Sequence, residues 1–509
     1  MFTKIYSATL QGIDAATVDI ESHTDSKMPG ISIVGLPDAA VKEARERVEA
    51  AIKISGFEFP RRKVIINLAP ADVRKEGSGF DLPIAVGVLA SDGQIEHEKL
   101  ESSFITGELS LDGTLRPIKG ALSIAIQARN EGKEQIILPV ENASEAAMVQ
   151  GIKVIPVKSL SETVDHLNST NEIKPKIIDI DSIFEIDHSN EYDLADVRGQ
   201  QSVKRALEVS AAGGHNLLMI GPPGSGKTMI AKRIPSILPP MSLEESLETT
   251  KIHSVAGMIG KTDSLLTRRP FRSPHHTISN AALVGGGVGN IRPGEISLAH
   301  HGVLFLDELP EFARNVLEVM RQPLEDKEVS ISRTKMNVVY PSNFMLVCSM
   351  NPTPDGETLE NTNSSDMQVK NYLNKVSGPL LDRIDIHIEV PKVHYEELSS
   401  KEEGEKSQEI LERVIRTRDT QRQRFKEYDG IYKNADMSPK MIRKFCELDD
   451  VGSNLIKTAM KRTGLSARAY DRILKVSRTI ADMDESENIK ATHISEAIQY
   501  RSLDRNYWK

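Results

Sequence analysis

The sequence predicts an α/β protein with an α+β N-terminal domain at residues 1–168, a linker at 169–193, a core with a parallel sheet at 194–395 and a C-terminal helical region at 396–509. Three observations support this prediction. Short β-rich runs at 31–34, 64–68 and 136–138 alternate with helical patterns in the first third of the chain. Wholly apolar runs in the middle third end in glycine-rich or polar residues, as buried parallel strands do. After Pro391 the pattern is helical.

The composition is that of a folded globular protein, with 39% apolar and 27% charged residues. No run approaches the roughly 18–20 apolar residues that span a bilayer, and the first residues lack the pattern of a signal peptide. We therefore expect a cytoplasmic protein without membrane contact. Cys348 and Cys446 are too few and too far apart for a disulfide framework or a thiolate zinc site.

The net charge of −9 argues against a uniformly basic surface that binds nucleic acid. It leaves open a narrow basic channel, where the local field decides binding. The segment 399–428 is rich in charge and has two interpretations. It is either a solvated helix face or a contact with DNA or another subunit. Its basic residues include Arg413, Arg416, Arg418, Arg422, Arg424 and Lys426.

In the N-terminal domain, a helix is predicted after Asp38, because five apolar residues recur there at helical spacing. They are Val41, Ala44, Val48, Ala51 and Ile52. The linker is predicted from the polar and acidic composition between Asn168 and Asp193, which includes Pro175.

A glycine-rich octapeptide in the core follows the apolar run 217–220 and precedes a helix-compatible segment. Its glycines would let successive backbone N–H groups converge on a polyphosphate. Lys227 would neutralise the β- and γ-phosphates, and the Thr228 hydroxyl would ligate Mg²⁺. The sequence therefore predicts a Walker A loop that binds ATP. The octapeptide consists of Gly221, Pro222, Pro223, Gly224, Ser225, Gly226, Lys227 and Thr228.

A buried strand at 303–306 ends in Asp307 and Glu308, which is the Walker B pattern. Asp307 would hold the Mg²⁺, and Glu308 would polarise the water that attacks the γ-phosphate. A further strand at 344–348 leads to Asn351, which we expect to hydrogen-bond that water or the γ-phosphate as a sensor. Parallel sheets gather ligands at the carboxyl ends of their strands, so these groups should meet at one edge. Together they predict a nucleoside triphosphatase.

Two arginines have a predicted role in hydrolysis. Arg383 lies between apolar residues near the expected edge of the core, where it would reach the nucleotide of a neighbouring subunit. Arg468 should project from the first turn of a helix and approach the γ-phosphate. For both residues an ordinary surface ion pair is the alternative.

The segment between the Walker motifs contains Arg268, Arg269 and Arg272, two adjacent histidines and then a glycine-rich stretch around 285–289. No Lys-Ser/Thr pair follows these glycines, so a mobile loop, here predicted to line a pore, is favoured over a second phosphate loop. His275 and His276 lack a third ligand at metal spacing, so no zinc site is expected.

Several motifs together resemble the YifB/ComM family of magnesium-chelatase-like AAA+ ATPases, and the resemblance covers nearly the whole chain. They lie at 271–276, 293–300, 306–312, 321–325 and 377–385. The resemblance implies a Lon-protease-like N-terminal domain, an AAA+ P-loop core and a C-terminal helical lid. It also implies that Asn351 is sensor 1, Arg383 the arginine finger and Arg468 sensor 2. The implied activity is that of a homohexameric helicase that promotes branch migration during recombination of incoming DNA. The implied partner is single-stranded or branched DNA, which would pass through a central pore.

The chain departs from the expected patterns in two places. In the Lon-like domain the catalytic Ser and Lys positions correspond to Gly79 and Leu122, so we expect a scaffold without peptidase activity, with Ser78 as a shifted nucleophile the alternative. In the core, two Cys-x-Cys pairs of many relatives are replaced by residues that ligate zinc poorly, so we expect a polar, floppier loop without metal. The replacements are Thr353, Asp355, Thr362 and Ser364.

Two other functions compete with the DNA motor. One is a protein-remodelling ATPase like the motor subunit of magnesium chelatase, against which the Lon-like domain argues. The other is an ATP-dependent protease, which the missing Ser–Lys dyad disfavours.

Overall fold

The computed structural model describes residues 2–25, 30–75, 77–179, 184, 192–260, 265–287, 291–333, 336–393, 404–428, 430–463, 466–503 and 507. The predicted linker therefore lies partly outside the described residues. No helix among the described residues is long and apolar enough to cross a membrane.

The N-terminal domain is built on a seven-stranded mixed sheet of order β3-β4-β2-β1-β5-β8-β9. Strands β1, β2 and β4 pair antiparallel, and the remaining neighbours pair parallel. The strands of the domain are β1 Phe2–Gln11, β2 Asp14–Asp25, β3 Gly30–Val34, β4 Lys63–Ala69, β5 Ser103–Ile105, β6 Glu108–Leu109, β7 Leu115–Arg116, β8 Gln135–Pro139 and β9 Lys153–Val157.

Helices pack on this sheet and give the α+β arrangement that the sequence predicts. The first begins after Asp38, whose carboxylate accepts a hydrogen bond from the N–H of Val41 at 2.8 Å. Its predicted apolar residues are all buried. The helices are α1 Ala39–Ile54, α2 Asp81–Ser91, α3 Ala121–Asn130, α4 Ala143–Ala146 and α5 Leu160–Leu167.

The core is a five-stranded parallel sheet of order β11-β14-β17-β10-β18. Its long strands are buried along their whole length because helices cover both faces, which explains their uniformly apolar sequences. The strands are β10 Leu217–Ile220, β11 Phe271–Arg272, β14 Val303–Leu306, β17 Met345–Met350 and β18 Ile386–Glu389. The helices are α6 Gln201–Gly213, α7 Lys227–Ala231, α8 Leu243–Ala256, α9 Asn280–Val284, α10 Glu295–Leu298, α11 Arg314–Val319, α12 Arg321–Asp326, α13 Asp366–Leu373 and α14 Gly378–Leu381.

Two hairpins interrupt the core. The glycine-rich segment forms α9 and a two-residue pairing of β12 Gly285–Gly286 with β13 Arg292–Pro293, and Leu283 is buried. Residues 288–290 lie outside the described residues, so the predicted mobile loop that lines a pore stays a prediction beyond this short pairing. The second hairpin, which the sequence did not predict, pairs β15 Glu328–Arg333 with β16 Met336–Pro341.

The C-terminal region is helical, as predicted. The longest charged segment forms α15, where Ile410, Val414, Thr417 and Gln421 make the buried stripe and most of its charged side chains stay at least partly exposed. The helices are α15 Ser407–Arg424, α16 Pro439–Phe445, α17 Asp450–Thr463, α18 Ala467–Met483 and α19 Ala491–Gln499.

The N-terminal domain contacts the core through the end of α8. The hydroxyl of Ser254 donates to the buried carboxylate of Glu145, and the N–H of Gly120 donates to the Ser254 carbonyl oxygen at 3.3 Å. Glu145 also accepts from the N–H of Leu122 at 2.8 Å. Burial raises the pKa of Glu145, although the hydrogen bond from Ser254 opposes the rise.

Candidate nucleotide site

The predicted site residues follow three neighbouring parallel strands at one edge of the core sheet. Gly221 follows β10, Asp307 follows β14, and Asn351 follows β17, which pairs with both of the other strands. The carboxyl ends of parallel strands meet at the same edge, so this register brings the three segments together.

Lys227 is nearly buried in the first turn of α7 and folds back over its own loop. Its Nζ donates to the carbonyl oxygens of Gly221 at 2.6 Å and Pro222 at 2.9 Å, and lies 3.3 Å from Oδ1 of Asn351. Burial lowers the pKa of Lys227, while the charges of Asp307 and Glu308 oppose this. The ammonium group is thus held at the loop, where it would meet a phosphate.

The loop backbone fits a bound phosphate chain. Gly224 and Gly226 adopt left-handed conformations with φ of 76° and 88°, and a Cβ at either position would meet open space. A Cβ at Gly221 would instead collide with the carbonyl oxygen of Val390, so this position needs glycine. The buried hydroxyl of Ser225 has no hydrogen-bond partner among the described residues. The open space beside the glycines and the unpaired hydroxyl would suit a bound phosphate.

The magnesium ligands predicted from the sequence are in contact. Thr228 Oγ1 donates to Asp307 Oδ2 at 2.7 Å. The hydroxyl of Ser349, a residue that the sequence did not indicate, donates to the other Asp307 oxygen. A hydroxyl and a carboxylate are ligands that Mg²⁺ prefers, so this pair fits the ion.

Glu308 is 58% exposed and points away from the packed core. Its backbone has φ of 54°, and its N–H donates to Asp307 Oδ1 at 3.1 Å. The Nδ1 atom of His276 lies 3.4 Å from Glu308 Oε2. His276 is thus a neighbour of the predicted water-activating carboxylate, and its position 32 residues before Glu308 gave no signal for this contact in the sequence.

Arg383 lies at the amino ends of the parallel strands, opposite to the carboxyl ends that carry the phosphate loop. It precedes β18, and its carbonyl oxygen accepts from the side chain of Asn216, the residue before β10. Arg383 is 6% exposed, and its guanidinium contacts Glu325 and the carbonyl oxygen of Pro379. Strands of four residues span about 13 Å. Arg383 and Lys227 of the same chain therefore lie at opposite ends of the strands, about this distance apart along the strand direction.

Arg468 lies in the first turn of α18 and is near Arg383, not near Lys227. Its Nη2 atom is 3.8 Å from Oε1 of Glu325, the same carboxylate that contacts Arg383. The hydroxyl of Ser466 donates to Asp382 at 3.3 Å, which fixes the start of the helix beside Arg383. The two predicted arginines therefore form one cluster around Glu325.

Two arginines upstream of the glycine-rich segment, Arg269 and Arg272, are engaged in ion pairs. Arg269 contacts Glu245 at 2.9 Å, and Arg272 contacts both carboxylate oxygens of Glu295 at 2.6 and 2.8 Å. These pairs hold them against the core. Arg292 on β13 is exposed and makes no such ion pair with the residues that the structure describes.

The four positions that replace the Cys-x-Cys pairs come together through hydrogen bonds. Thr353 and Thr362 donate to Asp355 at 2.6 and 2.8 Å, and the N–H of Ser364 donates to Thr362 at 3.1 Å. Asp355 thus organises a hydrogen-bonded turn where a floppier loop was expected. These bonds lower the pKa of Asp355 to about 2, the one from Thr353 most.

In the N-terminal domain, the hydroxyl of Ser78 donates to Glu108. Lys75 is completely buried, and its Nζ donates to the carbonyl oxygen of Pro70. Burial lowers the pKa of Lys75. Leu122 is completely buried. These contacts tie up both Ser78 and Lys75 in bonds to other residues.

Family models cover most of the chain. A model described as "Magnesium chelatase, subunit ChlI" matches residues 193–398, one described as "Subunit ChlI of Mg-chelatase" matches 20–142, and one for the ChlI C-terminal region matches 404–501. Together the three models match a magnesium-chelatase-like AAA+ protein, and the model for residues 193–398 covers the parallel core and its phosphate loop.

Whole-length relatives then show the family. The chain is 42% identical over 504 residues to the uncharacterised protein YifB of Escherichia coli K12, with 98% of this chain and 97% of YifB covered. It is 42% identical over 505 residues to competence protein ComM of Haemophilus influenzae, with the same coverage. Lon protease 2 of Bacillus subtilis is 28% identical over 142 residues, 27% of this chain and 25% of the protease. The chain belongs to the YifB/ComM family of magnesium-chelatase-like AAA+ proteins.

Proposed function

We propose that this protein hydrolyses ATP at a site completed by a neighbouring copy of the chain. The position of Arg383 supports this proposal most directly. The arginine lies at the amino ends of the core strands, whereas the phosphate loop of its own chain lies at their carboxyl ends. In a ring of identical subunits, one chain's loop would face the next chain's Arg383 and Arg468. In this arrangement Arg383 would act on the nucleotide of a neighbouring subunit, as the sequence predicts, and Arg468 would lie at the same subunit interface.

Each residue at the loop has one task in this proposal. Backbone N–H groups and Lys227 would bind the phosphates, while Thr228 and Asp307 would hold Mg²⁺, which would screen the charge of the β- and γ-phosphates. Glu308 would orient the attacking water and take up its proton, and Asn351 would position that water. Arg383 would leave Glu325 to approach the γ-phosphate of its neighbour.

Mixed rings test the shared site. Arg383→Ala should bind ATP nearly normally and lose most hydrolysis, whereas Lys227→Ala should fail to bind. Mixing the two variants should restore part of the activity, because a site formed by Lys227 of one chain and Arg383 of another is intact. Mixtures shown by native mass spectrometry to contain both chains but without any recovery would contradict the proposal.

We propose that ATP hydrolysis drives a homohexameric DNA motor of the cytoplasm, which binds single-stranded or branched DNA and promotes branch migration during recombination. Whole-length similarity to a protein named competence protein ComM supports this proposal. Arg292 is an exposed cation on the glycine-rich insert. A protein-remodelling motor is the second candidate, since the family models are those of the magnesium chelatase subunit.

Arg292→Ala should weaken DNA binding and DNA-stimulated hydrolysis together and leave basal hydrolysis unchanged. Each DNA phosphate that the variant no longer neutralises should reduce the slope of log affinity against log salt concentration by about 0.7 on single strands. Arg314→Ala, an exposed arginine at the start of α11, is the matched control. An Arg292→Ala variant with the wild-type slope would show that this insert does not contact DNA.

A further inference from the structure

The strand register of the core sheet brings His276 to Glu308. β11 pairs in parallel with β14, and Arg272 is the partner of Leu304 in this pairing. His276 follows Arg272 by four residues, and Glu308 follows Leu304 by four residues. Both segments leave the sheet at the carboxyl ends of its strands, where the phosphate loop also lies. The fold of the core thus places a histidine beside the carboxylate that is predicted to activate water.

The base of the segment that carries His276 is fixed to the core. The ring of Phe271 stacks on that of Phe305 in β14, with the ring centroids 6.0 Å apart. Arg272 binds both carboxylate oxygens of Glu295, at 2.6 and 2.8 Å. A bidentate ion pair of this kind fixes geometry as well as adding stability. The chain therefore starts toward His276 from a strand that cannot easily shift.

Two aromatic rings restrict the imidazole of His276. The centroid of the His275 ring lies 4.1 Å from that of His276. The ring of Phe312 meets the imidazole nearly at right angles, with an interplanar angle of 79° and a centroid distance of 6.4 Å. Phe312 is buried and belongs to the segment that follows Glu308. The imidazole is thus packed against both segments while its Nδ1 atom stays 3.4 Å from Oε2 of Glu308.

The side chain of Glu308 needs such a neighbour. Its backbone is held, because its N–H donates to Asp307 and its carbonyl oxygen accepts from the N–H of Glu311 at 2.8 Å. Its carboxylate is exposed and has no hydrogen bond or ion pair with any described residue except His276. An exposed glutamate samples several rotamers. A group that orients a reactant has to be held in one of them.

A metal site does not account for this pair of histidines. Nδ1 of His275 lies 2.9 Å from the hydroxyl of Thr277, so this ring nitrogen is already engaged. Within the described ranges, the side chains that could together hold a metal ion do not include His276 or Glu308. An ordinary surface ion pair is the remaining alternative, and a pair of that kind would contribute little to stability and nothing to the rate of hydrolysis.

We propose that His276 is a positioning residue that holds the carboxylate of Glu308 in the orientation from which it binds the attacking water. The proposal rests on the proposed hydrolysis of ATP. Nδ1 would donate a hydrogen bond to Oε2 and leave the other carboxylate oxygen for the water. A separation of 3.4 Å is long for this bond, and contacts of catalytic groups commonly shorten once the substrate is bound.

Two variants of nearly equal volume test this role. Asparagine can place its amide N–H close to the position of Nδ1, whereas leucine has no donor. His276→Leu should lower kcat about tenfold, the effect of losing one hydrogen bond to a charged group. His276→Asn should retain most of the rate. Both should keep the KM and the affinity for ATP of the wild type, because neither alters the phosphate loop.

Steady-state kinetics measure kcat and KM, and calorimetry measures ATP affinity. The control is His275→Phe, which keeps a ring against His276 but removes the ring nitrogens, and it should hydrolyse ATP at the wild-type rate. Urea unfolding shows whether each variant is folded. If His276→Leu is not, His276→Ala replaces it in the comparison with His276→Asn.

The outcomes separate this role from the proposed function. A wild-type protein that does not hydrolyse ATP would contradict the proposed function and this role together. A hydrolysing wild type would overturn the role of His276 alone in either of two cases. In the first, His276→Leu has the wild-type kcat, or loses ATP affinity and not kcat. In the second, His276→Asn is as slow as His276→Leu, which would show that the N–H donor is not what matters.

Discussion

The ion pair between Arg472 and Asp385 links the helical region to the core sheet at the amino ends of its strands. Breaking this ion pair should destabilise the protein. Asp385 is nearly inaccessible, and Arg472 Nη1 on α18 lies 2.8 Å from its Oδ1. The remaining oxygen accepts from the N–H of Asn216 at 2.9 Å and lies 3.6 Å from His215 Nδ1. Arg472→Gln would leave a buried carboxylate with these two weaker partners.

The expected loss in the free energy of unfolding of Arg472→Gln can be bounded from the geometry. Unit charges 2.8 Å apart attract by about 6 kcal/mol at an effective dielectric constant of about 20, and removing one partner of a buried pair costs about 3–5 kcal/mol. Because Asn216 and His215 still contact Asp385 in the variant, we expect a loss at the lower end of this range, about 3 kcal/mol. Asp385→Asn combined with Arg472→Gln should recover part of this loss, since no buried charge is then left uncompensated.

The dependence on pH has a definite sign. Burial alone would raise the pKa of Asp385, but Arg472 and His215 hold it well below the usual range. The stabilisation is present above the unfolded pKa of about 4 and is lost as the pH falls through the folded value. The difference between wild type and Arg472→Gln should therefore shrink below about pH 4.

Urea unfolding measures these differences in the free energy of unfolding. Arg468→Gln, four residues earlier on the same helix, is the control and should cost less than about 1 kcal/mol because Arg468 is exposed. A loss below about 1 kcal/mol in Arg472→Gln, or a double variant as unstable as the sum of the single ones, would refute the reasoning.

Three further predictions concern the predicted chemistry. Lys227→Ala should abolish tight ATP binding, whereas Glu308→Gln should bind ATP without hydrolysing it, so equal ATP affinities by calorimetry would contradict the two roles. The N-terminal domain should cleave no unfolded protein in the presence of ATP, and cleavage that Ser78→Ala abolishes would contradict this. Finally, Asp355→Ala should lower the thermal midpoint by removing the acceptor of the Thr353 and Thr362 hydroxyls, which differential scanning calorimetry checks against Asp366→Ala, an exposed carboxylate nearby.

The sequence predicted the contacts that follow from strand register. Lys227, Asp307 and Asn351 each follow an apolar run, and parallel pairing then places them at one edge without further information. The contact of Ser349 with Asp307 was not predicted from the sequence. Ser349 belongs to a wholly buried strand, where nothing in the local pattern distinguishes it from a residue that only packs in the core.

The second hairpin was missed although Val329, Ile331, Val338 and Tyr340 point inward at period two. The sequence between residues 333 and 336 lacks the glycine or asparagine that typically indicates a hairpin. The pairing of Arg269 with Glu245 and the clustering of two arginines around Glu325 depend on contacts between distant segments. Local sequence pattern contains no information about such contacts, so the sequence did not indicate that Arg468 lies beside Arg383, and its predicted approach to a γ-phosphate stays a prediction.

The most direct test of a DNA motor is the rate of ATP hydrolysis by the purified protein with and without forked DNA at low salt. We expect forked DNA to raise the rate in the wild type, while Glu308→Gln stays inactive with and without DNA because it lacks the carboxylate that orients water. A wild-type protein that hydrolyses ATP at the same rate with and without forked, single-stranded and duplex DNA would contradict the DNA motor and favour protein remodelling.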